Sequence, residues 1–145
     1  MLKTQLIHPE ILHALGRAGH GSKVLLADAN YPASTKLGPN ADLVHLNLAP
    51  GMVSLTEILR LLTATIPIEA AEVMTPDSGP EPEIFSEFRE LLKEATTFDR
   101  SEVELTKHGR FEFYDIAEAP DVALTIQTGE QRIYANLLLT IGVRL

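Results

Sequence analysis

The sequence predicts a single α/β domain over residues 1–145, in which a largely parallel sheet is flanked by helices. Short apolar runs alternate along the chain with segments whose apolar residues recur at helical spacing. A length of 145 residues fits one domain with a sizeable core. Hydrophobic residues make up 45% of the chain and charged residues 22%, values typical of a globular protein.

The first half of the chain predicts two strands separated by a long loop. A helix is expected to begin near Pro9 and to be capped at Gly19. The apolar run at 23–27 predicts a buried strand, and residues 43–46 predict a second one. The segment 29–42 between them holds proline, glycine and asparagine, and loops of this length in compact domains commonly carry function.

The second half of the chain continues the alternation of helices and strands. Ser54 and Glu57 form a capping-box pattern, which predicts a helix ending before Pro67. Apolar spacing predicts further helices at 82–95 and 110–119, and strands at 68–74, 103–106, 122–126 and 133–141.

Charge and composition exclude several classes of protein. A net charge of -8 argues against a nucleic-acid partner, because phosphate binding needs a basic surface. The absence of cysteine excludes disulfides, thiolate zinc sites and cysteine nucleophiles. No apolar run approaches the ~20 residues that span a membrane, and no signal peptide is evident. We therefore expect no membrane partner and a cytoplasmic location.

His20 is the leading candidate for proton transfer. It lies between Gly19 and Gly21, just before the predicted strand at 23–27, and bare backbone on both sides leaves its ring accessible. Imidazole exchanges protons near neutral pH. The alternative is a turn histidine that is hydrogen-bonded to backbone.

Polar side chains are predicted at two strand positions. Asp28 follows the strand at its carboxyl end, where ligands of open α/β sheets collect, and with Asn30 it forms a polar pair suited to hydroxyl groups. Tyr134 and Asn136 are expected on the same side of the last strand, a combination that suits a polyhydroxylated ligand. The alternatives are a turn aspartate and a buried amide bonded to neighbouring loops.

A third cluster of polar residues follows the strand predicted at 103–106. His108 and Arg110 supply donors, and Tyr114 lies one helical turn beyond Arg110 on the same face. A solvated basic turn and a core aromatic residue are the alternatives. The other histidines lack the spacing of metal ligands, and no phosphate-binding loop is present, so we expect neither a metal nor an organic cofactor. The whole set suits proton transfer on a neutral hydroxylated compound.

Several short motifs occur in order along the chain: Gly19-His20-Gly21, Ala27-Asp28-Ala29-Asn30-Tyr31-Pro32, Arg110-Phe111-Glu112-Phe113-Tyr114, Thr128-Gly129-Glu130, Tyr134-Ala135-Asn136 and Gly142-Val143. Together they resemble the D-ribose pyranase / L-fucose mutarotase family over essentially the whole chain. The resemblance implies enzymes that interconvert cyclic forms of a free monosaccharide without a cofactor or metal. It also implies subunits that assemble into rings, commonly paired as a decamer, with active sites where neighbouring subunits meet.

The resemblance also assigns roles to single residues. His20 matches the catalytic histidine of the family. Ring opening also needs a second proton-transfer group, and Tyr114 or Tyr134 is our own candidate for it. The resemblance implies that Asp28, Tyr134 and Asn136 bind the sugar, and the residue patterns described above add Asn30, His108 and Arg110 to the expected substrate-binding set.

The motifs mix two branches of this family. Arg110 with the aromatic motif after it, and Tyr31 with Pro32, resemble the fucose branch, whereas His108 and the alanine at position 135 resemble the ribose branch. The interpretation favours L-fucose as substrate. The alternatives are a D-ribose pyranase, a sugar-binding accessory or regulatory module without turnover, and a structural oligomer.

Overall fold

The computed structural model describes residues 1–95 and 102–144. Its helices and strands follow one another in the order α1 (Pro9–Arg17), β1 (Lys23–Ala27), β2 (Asp42–His45), α2 (Leu55–Thr63), β3 (Ile68–Met74), α3 (Ile84–Leu92), β4 (Leu105–His108), α4 (Arg110–Ala117), β5 (Val122–Gln127) and β6 (Leu137–Ile141).

The strands form one six-stranded sheet of order β2-β5-β1-β6-β3-β4. Strand β6 runs antiparallel to both of its neighbours, β1 and β3, and the other adjacent pairs are parallel. The predicted largely parallel sheet is therefore confirmed. Five strands end along one edge, which we call the carboxyl edge, and β6 begins there. The opposite edge is called the amino edge.

Helices cover both faces of the sheet, as the α/β prediction requires. Helices α1, α2 and α3 bury residues such as Ile11, Leu59 and Phe88 in the larger core. Helix α4 buries Phe113 against Leu138 and other residues of the opposite face. Within the two described ranges, no helix has the length and apolar character needed to cross a bilayer.

The capping box at the start of α2 is present. The backbone N–H of Glu57 donates to Ser54 Oγ at 3.3 Å, and the N–H of Ser54 donates to Glu57 Oε2 at 2.8 Å. Both groups would otherwise be orphan donors of the first helical turn. The local sequence thus fixes where this helix begins.

The prediction for the last strand was wrong at its start, because β6 begins at Leu137 rather than at residue 133. Tyr134 has a φ of 60°, which lies in the left-handed region and cannot continue an extended strand. Tyr134 and Asn136 therefore do not share a strand face as expected. Two smaller differences concern element bounds. Helix α3 spans Ile84–Leu92 rather than 82–95, and strand β4 spans Leu105–His108 rather than 103–106.

The tight packing of Gly129 yields a prediction for stability. A Cβ at Gly129 would lie 1.7 Å from the carbonyl oxygen of Met52 and 2.7 Å from that of Ala49, and both are backbone atoms. We expect Gly129→Ala to lower the free energy of unfolding by about 1–3 kcal/mol or more, measured by urea denaturation at a fixed protein concentration.

Gly16 in α1 supplies the matched control. A Cβ there would meet nothing within 4 Å, so Gly16→Ala should be neutral or stabilise the helix by up to ~1 kcal/mol. Equal urea midpoints for the Gly129 variant and the unmodified protein would contradict the close backbone approach.

Candidate functional site

A cavity of about 280 Å³ opens at the carboxyl edge of the sheet. Its walls come from the loop after β1, from the first turns of α4 and from the segment that precedes β6. We call it the polar cavity. Six of the predicted site residues line it: Asp28, Asn30, Arg110, Tyr114, Tyr134 and Asn136.

Asp28 and Asn136 are joined by two hydrogen bonds. The backbone N–H of Asp28 donates to Asn136 Oδ1 at 2.9 Å, and Asn136 Nδ2 donates to Asp28 Oδ2 at 3.0 Å. The backbone N–H of Asn30 donates to Asp28 Oδ1 at 2.9 Å. Asp28 and Asn136 are each 3% exposed. The pair therefore ties the end of β1 to the start of β6 and leaves carboxylate lone pairs for a ligand.

Burial raises the pKa of Asp28 above its ordinary value of 3.8, and the hydrogen bonds from Asn30 and Asn136 oppose this shift. Because the folded-state pKa exceeds the unfolded one, the stability that Asp28 contributes is complete below pH 3.8 and is lost as the pH rises through the folded-state pKa. A carboxylate whose burial raises its pKa more than its hydrogen bonds lower it is typical of a functional site.

Charged hydrogen bonds order the chain just before Tyr134, the residue with a left-handed backbone. Arg132 donates through Nε and Nη2 to the two carboxylate oxygens of Glu130, each at 2.9 Å, and Glu130 is 5% exposed. The Arg132 side chain also pairs with Glu87 of α3. A non-glycine residue with positive φ costs on the order of 1–3 kcal/mol, so the surrounding contacts must offset this strain. The phenol of Tyr134 lies in the wall of the polar cavity.

Arg110, the first residue of α4, binds Tyr134 across the cavity. Its Nη2 donates to the Tyr134 hydroxyl at 2.8 Å, and the guanidinium carbon lies 5.7 Å from the centroid of that ring. Because the hydroxyl oxygen accepts this bond, its own proton remains available to another acceptor. One turn further along α4, the rings of Tyr114 and Tyr31 form a T-shaped pair, with centroids 5.6 Å apart.

His20 does not lie in the polar cavity of its own chain. It precedes β1 at the amino edge, where its Nε2 lies 3.1 Å from both carboxylate oxygens of Glu69. The five residues of β1 separate it from Asp28, which is roughly 16 Å at about 3.3 Å per strand residue. A single chain therefore does not bring His20 and Asp28 into one site.

His108 also lies outside the polar cavity. Its Nε2 donates to Glu72 Oε2 at 2.7 Å, and its Nδ1 lies 3.2 Å from Glu112 Oε1. The side chain is 15% exposed. Two carboxylates, from β3 and α4, thus hold a ring that was expected to bind substrate.

Three lining residues were missed by the sequence interpretation: Tyr31, Met74 and Ile133. Met74 ends β3 at the carboxyl edge, so its position at a strand end was the signal that could have identified it. Tyr31 follows Asp28 in the long loop, and Ile133 adjoins Tyr134. These residues give the cavity apolar surface beside its polar groups, as small-molecule sites commonly have.

The polar cavity is lined by one carboxylate, two amides, one guanidinium and three phenols. These groups can donate to and accept from the hydroxyls of a polyhydroxylated ligand. Among residues 1–95 and 102–144, no group of three or more His, Asp or Glu side chains is placed to hold a metal ion.

Comparison with known proteins identifies the class. The chain matches the RbsD / FucU transport protein family over residues 1–144, and it therefore belongs to that family. The fucose mutarotase of Homo sapiens is 34% identical over 146 residues, which cover 95% of this chain and 90% of that protein.

A ribose-branch relative and a solved structure extend the comparison. The D-ribose pyranase of Clostridium perfringens is 26% identical over 143 residues, which cover 99% of this chain and 98% of that protein. The crystal structure of the fucose mutarotase from Streptococcus pneumoniae in complex with L-fucose has a TM-score of 0.80 and 28% identity, and covers 99% of this chain and 100% of that chain. The family resemblance of the sequence motifs is thus confirmed.

Removal of the Asn136 side chain tests the link to Asp28. In Asn136→Ala, we expect the pKa of Asp28 to rise further, because a hydrogen bond that opposes the effect of burial is lost. The buried N–H of Asp28 also loses its acceptor, which should cost about 1–3 kcal/mol of unfolding free energy. Carbon-13 NMR of the Asp28 carboxyl across pH measures the first effect, and urea denaturation the second.

The exposed Asn47 provides the control for this experiment. Asn47→Ala should leave the titration midpoint of Asp28 unchanged. If the midpoint stays constant or falls in Asn136→Ala, the amide does not stabilise the carboxylate.

Proposed function

We propose that the protein is a sugar mutarotase, which interconverts the anomers or the pyranose and furanose forms of a free monosaccharide by general acid–base catalysis, without a cofactor. The observation that carries this proposal is the polar cavity, where Asp28, Asn136, Arg110 and Tyr134 converge at the carboxyl edge. The volume of this cavity, about 280 Å³, is close to the lower end of the range found for small-molecule sites. Family membership supports the same activity.

L-fucose is the proposed substrate. The relative named fucose mutarotase is 34% identical to this chain, and the relative named D-ribose pyranase is 26% identical. The structural neighbour from Streptococcus pneumoniae was solved with L-fucose. His108, which favoured the ribose branch, is held by Glu72 and Glu112 outside the cavity. D-ribose remains the second candidate because of the ribose-branch relative.

A second subunit is proposed to complete the site. His20 lies at the amino edge and the cavity lies at the carboxyl edge, so a partner subunit has to supply the imidazole. Two large apolar side chains at the cavity are exposed, as expected for a surface that a partner covers: Ile133 in its wall at 69% and Phe111, beside Arg110, at 79%. We propose a ring of subunits, with two rings paired as a decamer, in the cytoplasm.

The proposed reaction opens the hemiacetal ring and closes it on the other face. A base takes the proton of the anomeric hydroxyl, and the electron pair of that O–H bond forms the carbonyl. The bond between the anomeric carbon and the ring oxygen breaks, and the ring oxygen takes a proton from an acid. The open-chain aldehyde rotates about the bond next to its carbonyl, and the reverse steps close the ring. Atoms and electrons are conserved throughout.

Each residue of the cavity has a proposed role in this reaction. His20 of the partner subunit acts as the base, and Tyr134 acts as the acid, because its oxygen already accepts from Arg110 and its proton is free to be donated. Asp28 and Asn136 hold sugar hydroxyls. Tyr114, which packs against Tyr31, is assigned to binding rather than to proton transfer.

Saturation-transfer NMR of anomer exchange tests the proposed function. The protein should accelerate exchange of L-fucose more than that of D-ribose. His20→Ala should lose about 10²–10⁴-fold in rate, the usual contribution of a positioned acid or base. Tyr134→Phe should lower the rate more than Tyr114→Phe does. Glu10→Gln, which changes an exposed carboxylate of α1 outside the cavity, is the control and should leave the rate unchanged.

Other outcomes would support the rival functions. Calorimetric binding of L-fucose without faster exchange would indicate a sugar-binding module. Faster exchange of D-ribose than of L-fucose would indicate a pyranase.

Co-assembly of two inactive variants tests the shared site. His20→Ala chains keep an intact cavity, and Asp28→Asn chains keep an intact His20. If subunits share sites, refolding the two variants together in equal amounts should restore about a quarter of the sites, because random assembly places either chain at each position with equal chance. Each variant refolded alone is the control. Activity no higher than the mean of the two controls would contradict a site made by two subunits.

A further inference from the structure

We propose that Glu69 is a positioning residue for His20: its carboxylate holds the imidazole in the tautomer that serves as the base. The inference rests on the catalytic role proposed for His20. Its observation is the approach of His20 Nε2 to both oxygens of the Glu69 carboxylate, each at 3.1 Å. Nothing in the polar cavity of the same chain contributes to this contact.

A β-bulge directs Glu69 toward His20. The register between β3 and β6 shifts between Ile68 and Ala70, so that Glu69 has no residue opposite it. Ala71 and Val73 face the larger core, and strict alternation would point Glu69 to that core as well. Instead Ile68 is buried and the Glu69 side chain is 36% exposed. Bulges commonly re-aim a side chain in this way near functional sites.

The end of β6 leaves room for the Glu69 side chain. A Cβ at Gly142 would lie 3.3 Å from Glu69 Cβ and 3.5 Å from Glu69 Oε2, so a larger residue would crowd the carboxylate. The N–H of Gly142 donates to the carbonyl of Pro67 at 2.9 Å, which fixes this approach. The bulge therefore directs the Glu69 side chain toward His20, and the glycine at position 142 leaves the space that this side chain occupies.

The backbone around His20 is also fixed by the end of β6. The N–H of Gly21 donates to the carbonyl of Ile141, and the N–H of Ile141 donates to that of Ser22, both at 2.9 Å. Gly21 has a φ of 81°, which a residue with a side chain rarely adopts. The turn that carries His20 and the bulge that carries Glu69 are thus both hydrogen-bonded to β6. This shared strand fixes the distance between the imidazole of His20 and the carboxylate of Glu69.

The chemistry of the pair determines the tautomer. A carboxylate only accepts hydrogen bonds, so the proton between the two groups belongs to Nε2 of His20. In the neutral ring, Nδ1 then carries the lone pair that takes the proton of the anomeric hydroxyl. The imidazolium so formed donates to a charged acceptor, which is a stronger hydrogen bond than the neutral ring makes. Glu69 therefore favours the proton-transfer step without touching the sugar.

Glu69→Gln tests this role. We expect kcat to fall at least about tenfold, a part of the ~10²–10⁴-fold that a positioned base supplies, while KM stays unchanged because Asp28 and Asn136 bind the sugar. Glu69→Asp, which keeps the charge, should retain more activity than Glu69→Gln. Glu10→Gln is the matched control, because Glu10 lies 3.2 Å from His8 in an exposed pair outside the site.

Two further measurements distinguish positioning from a structural role. In the His20→Ala background, Glu69→Gln should have no additional effect on kcat, since the two residues act as a unit. Refolding Glu69→Gln chains with Asp28→Asn chains should restore activity, whereas refolding them with His20→Ala chains should not, because Glu69 and His20 must come from the same chain.

The outcomes separate this inference from the proposed function. If His20→Ala exchanges sugar as fast as the unmodified protein, the proposed function of His20 fails. If His20→Ala is impaired and Glu69→Gln is as active as Glu10→Gln, only the role of Glu69 fails. If Glu69→Gln does not fold, the decisive comparison is the double-mutant cycle of Glu69→Asp with His20→Ala. Losses in kcat that add in the double variant would overturn the inference.

Discussion

The reciprocal pair of Asp28 and Asn136 is the interaction on which the site depends. It joins two segments that lie 108 residues apart in the sequence, at the point where β1 ends and β6 begins. A buried carboxylate is costly unless it is hydrogen-bonded. Here the amide of Asn136 donates to one carboxylate oxygen of Asp28 and accepts from the backbone N–H of the same residue. Tyr134 stands two residues before Asn136, and its hydroxyl accepts a hydrogen bond from Arg110 on α4. The reversed direction of β6 is what allows the pair to form, because it brings the start of that strand to the edge where its neighbour ends.

Local patterns in the sequence predicted most of the secondary structure. The strands β1 and β3 were predicted to the residue, since apolar runs bounded by turn signals define them, and the capping box fixed the start of α2. The start of β6 was missed because nothing in the sequence near Tyr134 indicates a positive φ. The bulge at Glu69 was missed for a similar reason: alternation of side chains can be counted along one strand, but register depends on the neighbouring strand.

The site was predicted less completely than the fold, and the two histidines show why. His20 and Asp28 are close in sequence, yet the strand between them carries them to opposite edges of the sheet. The pairing of His108 with Glu72 depends on the register of β3 and β4, which a single sequence does not reveal. The six predicted residues that line the cavity all lie near the carboxyl edge of the sheet, where the rule for ligands of α/β sheets places a site.

The left-handed backbone of Tyr134 sets the stability of the chain against the shape of the polar cavity at one position. Glycine adopts this conformation without a steric penalty, so a glycine there would relieve the strain. It would also remove the phenol that lines the cavity and binds Arg110. A library of variants selected only for resistance to heat would therefore enrich glycine at this position, and the survivors would lack the ring and hydroxyl that form this part of the cavity wall.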